Sequence, residues 1–484
     1  MKIIFVSPWT KTLYGNEKSV PGHPHIGLAY LSAVLKQENH EVRIFDQAIE
    51  NDDSKLFKLI KTFKPDIIGL TAFSYCYKYV FSLIEEISAK TSVPIIVGGP
   101  HVSAVKSKVL AKTSTNFAMK GEAEIAFPKF LSELGKKKPD FKKVPNLIWR
   151  DKRNNIIENA NGPYIHSLDT LPFPDYSEFK FEKYTYYENK TIPIITSRGC
   201  PYGCNYCSVR LSMGQGFRAR SPENVVAEIE HWYQQGFINF EINDDCFSLD
   251  LNRAEKICDL IIKKGLKITY QLYNGIRVDR VSKKLLTKMK RSGCVFISYG
   301  SESGNQKIID RIGKKIKLSQ VRNAVKLTNK VGIKNSVNFI IGHPEETYKT
   351  AMETLNFAKS LPTNFVNMYN VIPYPGTELY DWIENKAHWI YHPDYVMENI
   401  GSRDLKPVFE TEQFTEKERI KTLKKGYALY EKTILKFRFG KYVGMIVYLL
   451  TRNRAIFHKG LKLALNSKVG FKIYSLVTFK SRKK

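Results

Sequence analysis

Cys200, Cys204 and Cys207 fall within eight residues, in the run Arg198-Gly199-Cys200-Pro201-Tyr202-Gly203-Cys204-Asn205-Tyr206-Cys207. Three thiolates at this spacing can hold three irons of a cubane and leave its fourth iron open to another ligand. Thiolate-held iron–sulfur clusters serve one-electron and radical chemistry. Other uses of cysteine fit less well. The chain has 7 cysteines, an odd number, in 484 residues. Its first residues form too short an apolar run for a signal peptide, so a disulfide framework is not expected. A structural zinc site wants four ligands, commonly in two pairs. Cys246, Cys258 and Cys294 stand singly, and no histidine has zinc-ligand spacing beside the run. A ferredoxin-like cluster would want a fourth cysteine close by.

Such a run needs a strand to carry it and a helix to follow it. Residues 192–197 are apolar and β-prone apart from Pro193, and Ser221-Pro222-Glu223 is a helix start, with Ser as cap and Pro in the first turn. Val225, Val226, Ile229, Trp232 and Tyr233 give that helix its apolar stripe. Further strands are expected at 238–242, 268–272, 295–299, 337–341 and 365–372, with helices at 251–264, 282–292, 319–331 and 347–360. Six strands alternating with helices predict a partial parallel (β/α)6 barrel over 191–385. Chemistry in such barrels sits at the carboxyl ends of the strands. Polar residues gather there: Asn243, Asp244 and Asp245; Asn274 and Arg277; Ser301, Glu302 and Ser303; Gly342-His343-Pro344; and Tyr374-Pro375-Gly376-Thr377. Taken singly, each serves equally well as a helix cap or a loop residue. Their repeated placement on one rim makes them site candidates.

The CxxxCxxC run on a strand–loop–helix resembles the radical S-adenosylmethionine (SAM) superfamily. The resemblance implies a 4Fe-4S cluster on Cys200, Cys204 and Cys207, with SAM bound to the open iron through its amino and carboxylate groups. One electron then breaks the carbon–sulfur bond, and the 5′-deoxyadenosyl radical takes hydrogen from an unactivated carbon. Implied SAM contacts are Tyr206, Asp244, Asp245, Arg277, Glu302 and Gly342. Tyr206 would lie beside the adenine, the Arg277 fork would match the carboxylate, and Glu302 would hold the ribose or the ammonium. No further catalytic residue is assigned.

Residues 1–145 alternate in the same way, with strands expected at 2–7, 42–45, 67–71, 94–97 and 116–119 and helices at 26–36, 55–63 and 79–89. That pattern predicts a flavodoxin-like α/β domain binding its ligand beyond the carboxyl ends of the strands. No Gly-x-Gly-x-x-Gly opens a helix and no Walker A run occurs, which argues against a dinucleotide. Instead the chain carries Gly27-Leu28-Ala29-Tyr30-Leu31, Gly69-Leu70-Thr71, Val97-Gly98-Gly99-Pro100-His101 and Gly121-Glu122-Ala123-Glu124. Tight turns alone would explain the glycines. The set resembles the cobalamin-binding domain that precedes a radical SAM barrel, which implies cobalamin contacts at Thr71, Gly98, Gly99, His101, Gly121 and Glu122. There is no Asp-x-His-x-x-Gly run, and His23, His25 and His101 do not fit one, so the lower face of the cobalt has no assigned ligand. A hairpin at 146–159 and the proline-stiffened Leu171-Pro172-Phe173-Pro174-Asp175-Tyr176 fill a linker over 146–190.

The formal net charge is +29, and residues 415–484 hold 19 Lys or Arg against 3 Asp or Glu, a net of +16. The longest apolar stretch there, 442–450, is far short of the roughly 20 residues that span a bilayer. This helical region, 386–484, has three readings: a solvated cap on the barrel, amphipathic helices on an anionic membrane surface, or a nucleic-acid contact. The last fits least, since RNA-modifying relatives tend to append a β-rich module. The expectation is thus a cytoplasmic enzyme, with peripheral contact at the inner membrane surface left open. It would transfer a methyl group to an unactivated carbon of a small-molecule or lipid substrate, using a 4Fe-4S cluster, SAM, cobalamin and an external electron donor such as flavodoxin or ferredoxin. Radical cyclisation or rearrangement, RNA modification without cobalamin, and a non-catalytic iron–sulfur or cobalamin sensor are the alternatives.

Overall fold

The computed structural model describes residues 1–8, 23–50, 52–184, 191–391, 393–394 and 405–451. The first sheet is built from apolar runs that bury both faces. Along β1 (Lys2–Ser7), Ile3 and Phe5 enter one core and Ile4 and Val6 the other, the two-residue period of a pleated strand covered on both sides. Together with β2 (Glu41–Asp46), β3 (Ile67–Thr71), β4 (Ile95–Gly98) and β5 (Phe117–Met119) it forms a parallel sheet in the order β2-β1-β3-β4-β5, which is the flavodoxin-like order. The hairpin of β6 (Leu147–Arg150) and β7 (Ile156–Glu158), placed between the domains by the sequence, instead pairs antiparallel with β5 and extends this sheet to seven strands.

The proline connector is pinned down rather than loose. Asp175 accepts from Ser32 at 2.7 Å and pairs with Lys36 at 2.6 Å, and Tyr176 donates its hydroxyl to the Pro193 carbonyl at 3.0 Å. The connector is thereby tied to the helix Ile26–Gln37 on one side and to the first barrel strand on the other.

The second sheet holds β8 (Thr191–Ile194), β11 (Asn239–Ile242), β12 (Thr269–Ile276), β13 (Cys294–Glu302), β14 (Lys334–Ile341) and β15 (Phe365–Asn370), parallel and in sequential order. Sequential parallel strands with helical crossovers make the expected partial barrel. Side chains at Ser221, Asp250, Ser282 and Thr347 cap its helices, as short polar side chains do by accepting orphan backbone N–H groups. The first barrel strand ends earlier than the apolar run suggested. The Thr196 amide and hydroxyl and the Ser197 hydroxyl all donate to the Asp244 carboxylate, at 2.6, 2.5 and 2.7 Å. These bonds draw the chain out of the ladder into a short antiparallel ribbon of β9 (Ser197–Arg198) and β10 (Arg218–Ala219). That ribbon is the neck of the cysteine loop. After the barrel, the helix Glu416–Phe439 lies against β15 and is followed by the helix Lys441–Thr451.

Candidate functional site

The cysteine loop is fastened at both ends. At its start Gly199 has φ +80, the left-handed region open to glycine, and its N–H donates to Asp245 at 2.9 Å. At its far side the Asn205 N–H donates to the Ile312 carbonyl at 3.1 Å, and the Asn205 carbonyl accepts from Leu379 at 3.0 Å. Cys200, Cys204 and Cys207 are partly exposed, whereas Cys76, Cys246, Cys258 and Cys294 are buried. Burial pushes the Cys207 thiol up to about 11, with the charges of Cys204 and Cys200 adding to the effect. The three sulfurs are therefore close enough to sense one another. Among the described residues no group of three or more His, Cys, Asp or Glu is gathered to hold a single ion. A cubane does not require that, since each thiolate takes a different iron, and three thiols with one open approach fit it.

Cys246, which the sequence left isolated, is brought beside Cys200. Its thiol, beside Cys200, pulls that group well below its usual range. Asp245, next to it, is exposed and holds the Gly199 N–H. Asp244 and Asp245 are thus fasteners of the loop, their oxygens taken up by Thr196, Ser197 and Gly199.

Arg277 lies against the loop, its guanidinium 3.4 Å from the Tyr202 ring centroid. Its Nε and Nη2 donors are engaged by Asp279 at 3.0 Å and the Lys314 carbonyl at 2.9 Å. The polar pair that faces the cysteines is Lys314 and Glu302, 2.7 Å apart. Burial works against the Lys314 ammonium, but Glu302 and then Cys204 outweigh it and raise its pKa. Glu302 sits at φ +66 at the end of β13, a costly conformation for a residue with a Cβ and one that collects at functional sites. The half-buried Tyr206 lies near its charge, with its ring 5.5 Å from that of His343. Gly342 is held from both sides, donating to Glu346 at 2.6 Å and accepting from Arg419 at 3.3 Å.

On the cobalamin-like side, Thr71, Gly98, Gly99, Gly121 and Glu122 line a cavity of about 520 Å³. Its opposite wall is the barrel mouth: Ile195, Arg198, Glu241, Asn243 and Asn274. Gly99 has φ +97, and a Cβ there would come within 2.7 Å of the Thr71 hydroxyl and 2.8 Å of the Ala72 carbonyl. A cradle kept clear of side chains in this way fits a broad, flat cofactor. His101 does not line the cavity. It is buried, bonded to Ser74 at 3.1 Å and stacked on Tyr77 at 4.5 Å.

Glu122 reaches the cavity but is used as a clamp. Its carboxylate accepts from Arg218 at 2.8 Å, Arg198 at 3.1 Å and the Ile165 N–H at 3.1 Å, while Glu124 takes the other arm of Arg198 at 2.7 Å. Arg198 and Arg218 face each other across the β9–β10 neck. A buried, charge-balanced quartet therefore ties the cysteine loop to the first domain.

Two family profiles match: the B12 binding domain at residues 16–131 and the Radical SAM superfamily at 194–358. An uncharacterized methyltransferase of Pyrococcus horikoshii is 31% identical over 442 residues, covering 88% of this chain and 92% of that protein. The chain belongs to the cobalamin-dependent radical SAM family. It is a radical SAM enzyme, and its cofactors are a 4Fe-4S cluster, SAM and cobalamin. An anaerobic magnesium-protoporphyrin IX monomethyl ester cyclase of Rubrivivax gelatinosus is 26% identical over 399 residues, covering 80% of this chain and 71% of that one. The fold is that of the cobalamin-dependent radical enzyme OxsB, with TM-score 0.70 and 18% identity over 100% of this chain and 76% of that one.

Proposed function

We propose that this radical SAM enzyme transfers a methyl group to an unactivated carbon of a small-molecule or lipid substrate. One observation carries the reading: the glycine cradle of the first domain and the mouth of the barrel are two walls of one cavity, with Arg198, two residues before Cys200, on its rim. Residues of both walls would hold the two cofactors toward one space, where a single substrate carbon could be presented to both. The relative of Pyrococcus horikoshii, named a methyltransferase and similar over nearly its whole length, supports methyl transfer.

Bound at Cys200, Cys204 and Cys207, a cluster would supply one-electron chemistry toward SAM, and a cobalamin in the glycine cradle would supply methyl-transfer chemistry. The chain's own residues orient them. In this reading Lys314 and Glu302, a cation beside an anion, complement the carboxylate and ammonium of SAM. Tyr206 and Gly342 stand beside that pair, and Arg277 holds the Lys314 backbone in place. Asp244 and Asp245 set the start of the loop. Thr71, Gly98, Gly99 and Gly121 receive the corrin, and His101 supports their loop from within the core. The electron comes from an external donor of the flavodoxin or ferredoxin kind.

The test is the product pair. Reconstituted enzyme given reductant, SAM, cobalamin and cell extract should form 5′-deoxyadenosine and S-adenosylhomocysteine together. Deoxyadenosine without the homocysteine product would replace methyl transfer with radical cyclisation, the reading favoured by the relative named as a cyclase. SAM left intact under every condition would leave a non-catalytic sensor.

A further inference from the structure

We propose that the helix Lys441–Thr451 docks this enzyme on an anionic membrane surface. The helix turns back at Gly440 and lies against Glu416–Phe439, with Gly444 backed onto the Leu435 carbonyl so that the two helices meet closely. Its other face is open. Tyr442, Val443, Ile446 and Leu449 are 77%, 54%, 56% and 59% exposed. Positions 442, 446 and 449 follow the i, i+4, i+7 spacing of a single helical stripe. Residues 442–451 contain no charged side chain. No other helix or strand among the described residues leaves four large apolar side chains exposed.

The charge around the stripe says what covers it. Lys432, Lys436, Arg438 and Lys441 precede it, and residues 452–484 carry ten Lys or Arg and no Asp or Glu. After Glu431 the chain has no acidic residue at all. An uncharged aliphatic stripe bordered by cations is complementary to a bilayer with anionic headgroups, the apolar face entering the acyl boundary and the cations meeting phosphate. A protein partner of defined sequence would be met by a polar rim, and an RNA would need the cations on the contact face itself. At 11 residues the helix is about 16 Å long, too short to cross a bilayer of roughly 30 Å, so it lies in the interface. Among the described residues no helix is long and apolar enough to cross a membrane. This docking is independent of which carbon is methylated.

The experiment is flotation of the full chain with vesicles of phosphatidylcholine alone and of phosphatidylcholine enriched in phosphatidylglycerol. Binding should be at least about tenfold tighter to the anionic vesicles and should weaken in high salt. The double variant Ile446→Asp, Leu449→Asp should lose about tenfold or more of that binding, while its 5′-deoxyadenosine formation in vesicle-free solution stays at the wild-type rate. Equal flotation of wild type and variant would overturn the proposal. So would binding to RNA, or self-association through the stripe, in a protein that ignores both kinds of vesicle.

Discussion

Glu122→Gln tests the clamp that joins the cysteine loop to the first domain. The carboxylate takes Arg218 on both oxygens at 2.8 Å, Arg198 at 3.1 Å and the Ile165 amide at 3.1 Å, and its side chain is 5% exposed. Gln has the same size and keeps one acceptor oxygen, but it loses the charge and turns an NH2 group toward a guanidinium. Removing one partner of a buried pair costs roughly 3–5 kcal/mol, because the remaining charge stays buried. A unit charge at about 4 Å is worth about 4 kcal/mol at an effective dielectric of 20, less whatever desolvating the carboxylate had cost. Arg198 keeps Glu124, and Arg218 keeps the carbonyls of Met213 and Ile165, both at 2.9 Å, together with the Tyr164 ring. Those remaining partners set the expectation at the low end, about 3 kcal/mol. Urea unfolding followed by tryptophan fluorescence reads it. Because the pair is buried, the loss should be nearly the same at low and high salt. Glu122→Gln combined with Arg218→Met should cost less than the two single changes added together, by about 2 kcal/mol, as coupled sites do. A single-variant loss below about 1 kcal/mol, or strict additivity in the double variant, would refute the clamp.

Cys246→Ser should still take up a full cluster, and SAM should still perturb the electron paramagnetic resonance of the reduced protein, because Cys246 is a neighbour of Cys200 and not its fellow ligand. A cluster that ceases to respond to SAM, or is lost, would mean that Cys246 closes the fourth corner. Gly99→Val should abolish corrin absorbance after reconstitution while leaving iron content intact, since a Cβ would sit 2.7 Å from the Thr71 hydroxyl at a φ of +97; unchanged cobalamin uptake would remove the cradle from the cobalamin site. Asp46 is raised to about 6 by burial, partly offset by the Tyr184 hydroxyl at 2.7 Å. The folded state therefore binds its proton more tightly than the unfolded one, and the wild type loses stability as pH rises from about 4 to about 6. Asp46→Asn should flatten that slope and stabilise the protein at pH 8 by roughly 1–3 kcal/mol. A steeper slope in the variant would show the carboxylate is favoured charged.

Periodicity predicted the parallel strands of both sheets, because each is a local apolar run, but not that the β6–β7 hairpin would extend the first sheet. The β9–β10 neck was not legible. It arises from Asp244, which lies 48 residues from Thr196 in sequence and takes bonds the ladder would otherwise have used. Cys246 was missed for the same reason, since nothing in a single buried cysteine announces which strand end it will meet.

The arginine shows where composition stops informing. A guanidinium at the rim of a barrel looks like a carboxylate receptor because sequence reports the number of its donors and not where they are spent. In the fold Nε and Nη2 of Arg277 go to Asp279 and the backbone of Lys314, with the guanidinium over Tyr202 and Nη1 left over. Lys314 then points its ammonium at Glu302 beside Cys204. Arg277 keeps the two donors of Nη1, and the Lys314 ammonium keeps the two that Glu302 leaves, so both cations retain donors for an anionic ligand. In the proposed reading the lysine that the arginine holds in position meets SAM's carboxylate, and the Nη1 edge of Arg277 is open to the same group.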